Sequence, residues 1–265
     1  MGGSHAGVTF GGGPTDGLVV AVDSPVHRLP AHGKIAALVA FVLVVVATPA
    51  GTWWVFGAYA VLLAGVLRVA RVPRRVVARR MLIETPFVVF ALLMPLVATG
   101  PRVEVLGLSL SRDGVLGGGT LLAKATLGVV AAIALAATTE SRALLAGLER
   151  LRMPATLVAI LSFMVRYVSV VGGDLQRMRV ARESRGYSGG RLGHLKAVAA
   201  SAGSLFVRSY ERGERVHLAM RARGYTGRMP ALSGGASAPE LARCAMLPVA
   251  ALAVLLVARL GLGAS

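Results

Sequence analysis

The sequence predicts an all-α membrane protein with about five transmembrane helices and a group of cytoplasmic helices between the fourth and fifth spans. Hydrophobic residues make up 55% of the 265 residues, charged residues only 15%, and the mean hydropathy is +0.69. This composition is typical of membrane proteins. The charges are also unequal, with 29 Lys and Arg against 12 Asp and Glu, which indicates an anionic partner or a positively charged cytoplasmic face.

The apolar runs place the predicted spans. Residues 35–67 carry no charge and are too long for one spanning helix of about 20 residues. The segment "TPAGT" at 48–52 therefore predicts a tight turn between two spans, with Trp53 and Trp54 at the membrane interface. We predict the third, fourth and fifth spans at 85–99, 118–139 and 245–262.

Loop charges predict the orientation. The segment "RVARVPRRVVARR" at 68–80 contains six arginines and no acid, which favours the cytoplasm. The turn at 48–52 is uncharged and the loop at 100–117 has balanced charges, so both are predicted outside. We therefore expect a multi-pass protein of the cell (plasma) membrane with a cytoplasmic N-terminus.

Four regions follow from these spans. We predict a flexible Gly-rich leader at 1–22, without the features of a signal peptide, and a four-span membrane domain at 23–140. A cytoplasmic helical region follows at 141–242, and a C-terminal transmembrane helix at 243–265. Residues 154–173 are almost apolar enough to span, but Arg166 lies in their middle. We expect this stretch to pack against other helices or to lie at the inner surface; whether it is on, in or below the membrane stays open.

A short basic motif occurs twice in the cytoplasmic region. The sequence reads Ser184-Arg185-Gly186 followed by Tyr187, and Ala222-Arg223-Gly224 followed by Tyr225. Each motif ends a predicted helix, from Pro154 to about Arg185 and from about 195 to 223, where Gly and Arg are ordinary helix-ending residues. A helix end does not require the matching Tyr and second Gly. We call Arg185 and Arg223 the arginine hooks. Two hooks would suit two copies of one acidic partner, because a guanidinium binds carboxylates by charge-assisted hydrogen bonds.

We predict no catalytic, cofactor-binding or metal-binding residue, and no enzyme activity. The spacing from Gly114 to Gly119 resembles a phosphate loop, but Thr120 replaces the required Lys. The single cysteine, Cys244, has no partner for a disulfide or a cysteine-rich metal site. The histidines are scattered along the chain, without metal-ligand spacing, at His5, His27, His32, His194 and His217. Nucleic-acid binding is not predicted, since the spans and loop asymmetry account for the charge.

Several segments in order resemble the transmembrane (T) component of energy-coupling-factor transporters, in particular the cobalt-type CbiQ family. They are "DSPVHRLPAHGK" at 23–34, "LERLRMPATLV" at 148–158, "FMVRYVSVV" at 163–171 and the two Arg-containing triplets. The resemblance implies that the triplets end two long cytoplasmic coupling helices. It implies that Arg185 and Arg223 each dock against acidic residues of one ATPase subunit. The usual triplet is Ala-Arg-Gly, and Ser184 is a small departure from it.

The resemblance also implies the partners. We expect an energy-coupling subunit of an importer, embedded in the lipid bilayer, that works with two ATP-binding cassette ATPases and a substrate-binding membrane S component. ATP and Mg would bind in the ATPases, and this chain would bind no cofactor. Apolar residues of the coupling helices are expected to contact the S component or other helices of the chain: Leu161, Met164, Val168, Leu205, Phe206 and Met220.

The cargo and two other function classes stay open from the sequence. Cobalt is the first choice of cargo, since the resemblance is to the cobalt-type branch, while nickel or a vitamin would leave the role unchanged. A stand-alone secondary transporter would need ionisable groups at the bilayer midplane. A basic membrane scaffold would bind anionic lipid or RNA and would tolerate Lys in place of Arg185 and Arg223.

Overall fold

The chain folds into helices joined by short connections, with one two-stranded ribbon. The computed structural model describes residues 24–98, 101–105, 108–186, 191–227 and 237–263. The described residues belong to two compact units, one within 18–147 and 233–265, the other within 148–232. The first unit contains helices α1 (Ala31–Ala47), α2 (Trp53–Val69), α3 (Arg74–Met81), α4 (Thr85–Val97), α5 (Arg112–Thr138) and α9 (Ala238–Gly263), with strands β1 (Arg102–Val105) and β2 (Leu108–Ser111).

The remaining helices lie in the cytoplasmic region of the sequence prediction. Helix α6 spans Ser141–Arg150, α7 spans Ala155–Ser184 and α8 spans Arg191–Ala222. The chain passes from the first unit to the second after Gly147, within α6. Gly147 packs against the start of α1, where an added Cβ would come within 2.8 Å of the His32 backbone nitrogen.

The core of the first unit is formed by α1, α2, α5 and α9. Helix α1 ends before and α2 begins after the predicted turn, where Gly51 has a positive φ of 86°. The rings of Phe41 and Tyr59 meet edge to face at 5.9 Å, and the Tyr59 hydroxyl lies 3.2 Å from Oγ1 of Thr48. Buried polar groups need such partners. The α1–α2 hairpin is therefore fixed by aromatic packing and by one polar contact near its turn.

Helices α4 and α5 approach each other closely because α5 presents glycine to α4. A Cβ added at Gly118 would lie 2.6 Å from the Ala91 carbonyl oxygen, and one at Gly114 would lie 2.7 Å from Cα of Pro95. Small residues allow helix backbones to approach in this way within membranes. Pro95 lies inside α4.

The structure corrects two predicted boundaries. Helix α5 begins at Arg112 rather than at 118, because Ser111 caps it by accepting a hydrogen bond from the Gly114 backbone N–H at 3.3 Å. The predicted loop at 100–117 is thus shorter and contains the antiparallel strands β1 and β2. Helix α9 begins at Ala238 rather than at 245; the Glu240 carboxylate accepts a hydrogen bond from the Ser237 backbone N–H at 2.9 Å.

Three described helices are long and apolar enough to cross a membrane: α5, α7 and α9. Helices α3 and α4, separated by a 3₁₀ turn at Leu82–Glu84 and bent by 57°, could together form a fourth span. Helices α1 and α2 are apolar but have 17 residues each, so they are shorter than the length criterion. The helical membrane fold is confirmed, and the five-span arrangement stays a prediction.

Candidate functional site

The two longest helices of the second unit carry the repeated motif at their C-terminal ends. Helix α7 has 30 residues and α8 has 32, so each is about 45 Å long at a rise of about 1.5 Å per residue. Both start and end within a few residues of the predicted boundaries, although α8 begins at Arg191 rather than near 195. The motif residues therefore lie far from the N-terminal ends of their own helices.

Helix α7 ends in a left-handed turn at Gly186. The backbone N–H of Arg185 donates to the Arg182 carbonyl at 3.1 Å, and that of Gly186 donates to the Glu183 carbonyl at 3.1 Å. Gly186 has φ +68°, which residues with a Cβ rarely adopt. The Ser184 hydroxyl donates to the Val180 carbonyl at 2.8 Å. The hydroxyl group that Ser184 has in place of the usual Ala methyl therefore finds its hydrogen-bond partner within α7.

Helix α8 also ends in a left-handed turn. Here the structure describes every residue of the motif, from Ala222 to Tyr225. The Gly224 N–H donates to the Arg221 carbonyl and the Tyr225 N–H donates to the Met220 carbonyl, both at 3.0 Å. Gly224 has φ +84°. These two bonds define the Schellman motif, in which Gly occupies the left-handed position after the helix. Arg223 is then the C-cap residue, between the end of α8 at Ala222 and the left-handed Gly224.

Both arginine hooks point into solvent. Each residue of Ser184-Arg185-Gly186 and Ala222-Arg223-Gly224 is exposed, while Tyr225 is half-buried. Within the part of the chain that the structure describes, neither Arg185 nor Arg223 has an ion pair with a carboxylate. Tyr187 lies outside the described residues. The geometry thus presents two guanidinium groups, each at the end of a long helix.

An ion pair that the sequence analysis missed connects α7 and α8. Asp174 lies between two arginines, with Arg212 Nη2 3.0 Å from Oδ2 and Arg177 bonded to Oδ1. Hydrogen bonds from Arg177 and Arg212 hold the pKa of the Asp174 carboxyl below its usual range. Asp174 and Arg212 are separated by the same 38 residues as Arg185 and Arg223. This shared spacing was the available signal for the contact.

The apolar residues expected at an interface are mixed in exposure. Met164, Val168 and Phe206 are exposed, with Phe206 at 72%, whereas Leu161, Leu205 and Met220 are half-buried. Phe163 also stacks on Tyr167, with ring centroids 6.3 Å apart. Exposed apolar side chains of this size favour contact with lipid or with another apolar protein surface.

Gly114–Gly119, which resembled a phosphate loop, belongs to helix α5 and packs against α4 and Trp53. Among the described residues, no three His, Cys, Asp or Glu side chains form a group able to hold a metal ion. Cys244 is buried and lies beside Gly33.

A family model described as the cobalt transport protein, CbiQ, matches residues 23–232, a range that contains both Arg-Gly motifs. The chain belongs to the CbiQ family. Named relatives support its place among the transmembrane components of energy-coupling-factor transporters. The family resemblance found in the sequence is thereby confirmed. The family is one of membrane transport proteins, in agreement with the several apolar helices of this chain.

Three relatives illustrate the range of the family. The chain is 30% identical to an uncharacterised protein of Methanocaldococcus jannaschii over 62% of its own length and 63% of that protein. It is 28% identical to the cobalt transport protein CbiQ of Rhodobacter capsulatus over 65% and 69% of the two chains. It is 29% identical to the energy-coupling factor transporter transmembrane protein EcfT of Bacillus selenitireducens over 80% and 83%. The aligned part is thus less than two thirds of the first relative and a larger share of the other two.

Proposed function

We propose that this chain is the energy-coupling transmembrane subunit of an ATP-driven importer. The observation that carries the proposal is the pair of exposed arginines, Arg185 and Arg223, each directly before a left-handed glycine at the end of a long helix. The relatives named as energy-coupling factor transmembrane proteins support this role. One hook would dock on each of two ATPase subunits, so that one membrane protein would respond to the movements of both subunits.

The docking chemistry is an arginine–carboxylate contact. A guanidinium makes two parallel hydrogen bonds to a carboxylate, which resists sliding better than a single contact. The Schellman turn redirects the chain directly after Arg223, and Arg223 is exposed. Ser184, Gly186, Ala222 and Gly224 would allow the ATPase surface to come close. Tyr187 and Tyr225 would be supporting contacts.

ATP hydrolysis belongs, in this proposal, to the partners. The ATPases would bind ATP and Mg, and this chain would transmit their movement through α7 and α8 to a substrate-binding membrane S component. The exposed apolar side chains at Met164, Val168 and Phe206 suit such a membrane contact. Cobalt is the proposed cargo, since relatives are named as cobalt transport proteins. The S component would select it, and nickel or a vitamin would leave the role of this chain unchanged.

The test is co-purification of the tagged chain from its native host in mild detergent, followed by mass spectrometry. The unaltered chain should retain an ATPase pair and a small membrane protein, whose identity then indicates the cargo. Arg185→Glu combined with Arg223→Glu should abolish ATPase recovery, because two attractive contacts become repulsive, while membrane insertion is unchanged.

A matched control separates docking from charge alone. Lys196→Glu with Arg208→Glu makes the same change in net charge at two exposed positions of α8, away from its end. This control should retain the ATPases. Normal cargo uptake by the Arg185→Glu, Arg223→Glu protein would rule out the docking role. An unaltered chain that purifies alone and transports cargo without ATP would instead indicate a secondary transporter.

A further inference from the structure

Five exposed arginines lie around the connection from α2 to α3. They are Arg68 in the last turn of α2, Arg71 in the connection itself, and Arg74, Arg75 and Arg79 in α3. Within the described ranges of the chain, none of these five guanidinium groups forms a salt bridge with a carboxylate. Arg80, the sixth arginine of this segment, is half-buried and is not counted. We call the five exposed residues the arginine patch.

Helix α3 packs on one side and is open on the other. Val77 packs against a buried cluster that includes Val72 and, from α5, Ala137. Arg75 and Arg79 are each two residues away from Val77, which places them about 160° around the helix from it. Both are exposed. The packing of Val77 therefore directs these two arginines away from the core of the first unit.

The open face becomes apolar directly after the arginines. Leu82, seven residues after Arg75 and three after Arg79, continues their stripe and is 71% exposed. Exposed apolar side chains then follow along α4: Phe87, Val88, Val89, Phe90, Leu92, Leu93, Leu96 and Val97. A surface that passes from arginine to apolar side chains matches the boundary between lipid headgroups and hydrocarbon.

This sequence of surfaces favours lipid over a soluble acidic partner. A soluble acidic protein or an RNA would neutralise the arginines but would leave Leu82 and the start of α4 exposed to water. A phospholipid presents a phosphate and an acyl chain at adjacent depths, so one molecule satisfies both parts of the surface.

We propose that the arginine patch binds anionic glycerophospholipid, with the phosphate on Arg75 and Arg79 and an acyl chain against Leu82. A guanidinium forms paired, charge-assisted hydrogen bonds to phosphate. Basic segments beside membrane helices also attract anionic headgroups. The lipid would hold α3 in place beside α5, to which the chain is already bonded just beyond Leu82, since Thr126 of α5 donates a hydrogen bond to the buried Glu84.

The test is local quenching of one tryptophan by brominated lipid. Leu82→Trp in a Trp53→Phe, Trp54→Phe background carries a single tryptophan, because the chain has two. The full chain is reconstituted in phosphatidylcholine vesicles that contain brominated dioleoyl phosphatidylglycerol or brominated dioleoyl phosphatidylcholine. At about fivefold for each of two arginines, the phosphatidylglycerol should be preferred about 25-fold. Arg79→Gln should lower this preference about fivefold, and Arg75→Gln with Arg79→Gln should remove it.

Two controls separate a local lipid site from net charge. Lys196→Gln with Arg208→Gln removes the same charge at two exposed positions of α8 and should keep the preference. Trp53→Phe alone leaves the exposed Trp54, at the opposite end of α2 from Arg68, which both lipids should quench equally. Equal Tm values in phosphatidylcholine would show that the glutamine variants are folded.

Three results would overturn the proposal. They are equal quenching of Leu82→Trp by the two lipids, an undiminished preference in Arg75→Gln with Arg79→Gln, and an equal loss of preference in the α8 control.

Discussion

At the scale of single residues, Gly186 and Gly224 decide how the arginine hooks are presented. Both have positive φ, and the turn at Gly224 is closed by two backbone hydrogen bonds. A residue with a Cβ in this conformation is strained by about 1–2 kcal/mol. With another residue there, the helix end would relax and Arg223 would lose its fixed position. The glycine thus links a local backbone requirement to the proposed docking.

Gly224→Ala should lower the free energy of unfolding by about 1 kcal/mol, since Ala must occupy the left-handed conformation. It should also weaken ATPase recovery although Arg223 is still present. Gly213→Ala is the matched control, because Gly213 lies inside α8 with open space around its Cβ. That change should stabilise the helix by up to about 1 kcal/mol. Thermal unfolding and co-purification would measure both effects; equal behaviour of the two variants would contradict the prediction.

At the scale of elements, the Asp174–Arg212 ion pair joins helices α7 and α8 at one point along each helix. Each hook follows its member of the pair by eleven residues, from Asp174 to Arg185 and from Arg212 to Arg223. Eleven residues correspond to about 16 Å of helix. The two hooks are therefore at matching distances along their helices from one cross-helix contact. We infer that this contact acts as a positioning device for the hooks.

Asp174→Asn should loosen the arrangement of α7 and α8, because it removes the charge that attracts Arg212. The readout is the distance distribution between spin labels at Ser184→Cys and Ala222→Cys, measured by pulsed electron paramagnetic resonance in a Cys244→Ala background. We expect a broader distribution, while stability changes little, as is usual for ion pairs that are screened by solvent. Glu211→Gln breaks only the exposed pair with Arg215 within α8 and should leave the distribution unchanged. An unaltered distribution in Asp174→Asn would refute the positioning role.

The sequence predicted helices better than it predicted their starts and contacts. Apolar runs and Pro154 were enough to place α7, and the Gly in each motif was enough to place the ends of α7 and α8. The early start of α5 depends on a side-chain cap by Ser111, which hydropathy does not reveal. The Asp174–Arg212 pair joins residues distant in sequence, so spacing alone could only suggest it.

At the scale of the whole molecule, the proposed function requires both Arg-Gly motifs in the cytoplasm. Residues 141–230 hold 16 of the 29 Lys and Arg but only five acids, a bias that favours retention of this region inside. Helix α7, however, is long and apolar enough by composition to cross the membrane. Its apolar half contains the exposed Arg166, which would be costly at the bilayer centre. The charge bias thus favours a cytoplasmic location for α8. The apolar length of α7 instead allows α7 to cross the membrane, which would place α8 outside.

Labelling of single cysteines on intact cells decides between these locations. In a Cys244→Ala background, a membrane-impermeant maleimide should label Ala50→Cys, in the predicted external turn, and should not reach Ala78→Cys in α3 or Ala202→Cys in α8 until the cells are permeabilised. All three alanines are exposed, so burial would not protect them. If Ala202→Cys were labelled from outside while Ala78→Cys stayed protected, α7 would cross the membrane. Arg185 and Arg223 would then lie on the side away from ATP, and docking to cytoplasmic ATPases would be physically impossible.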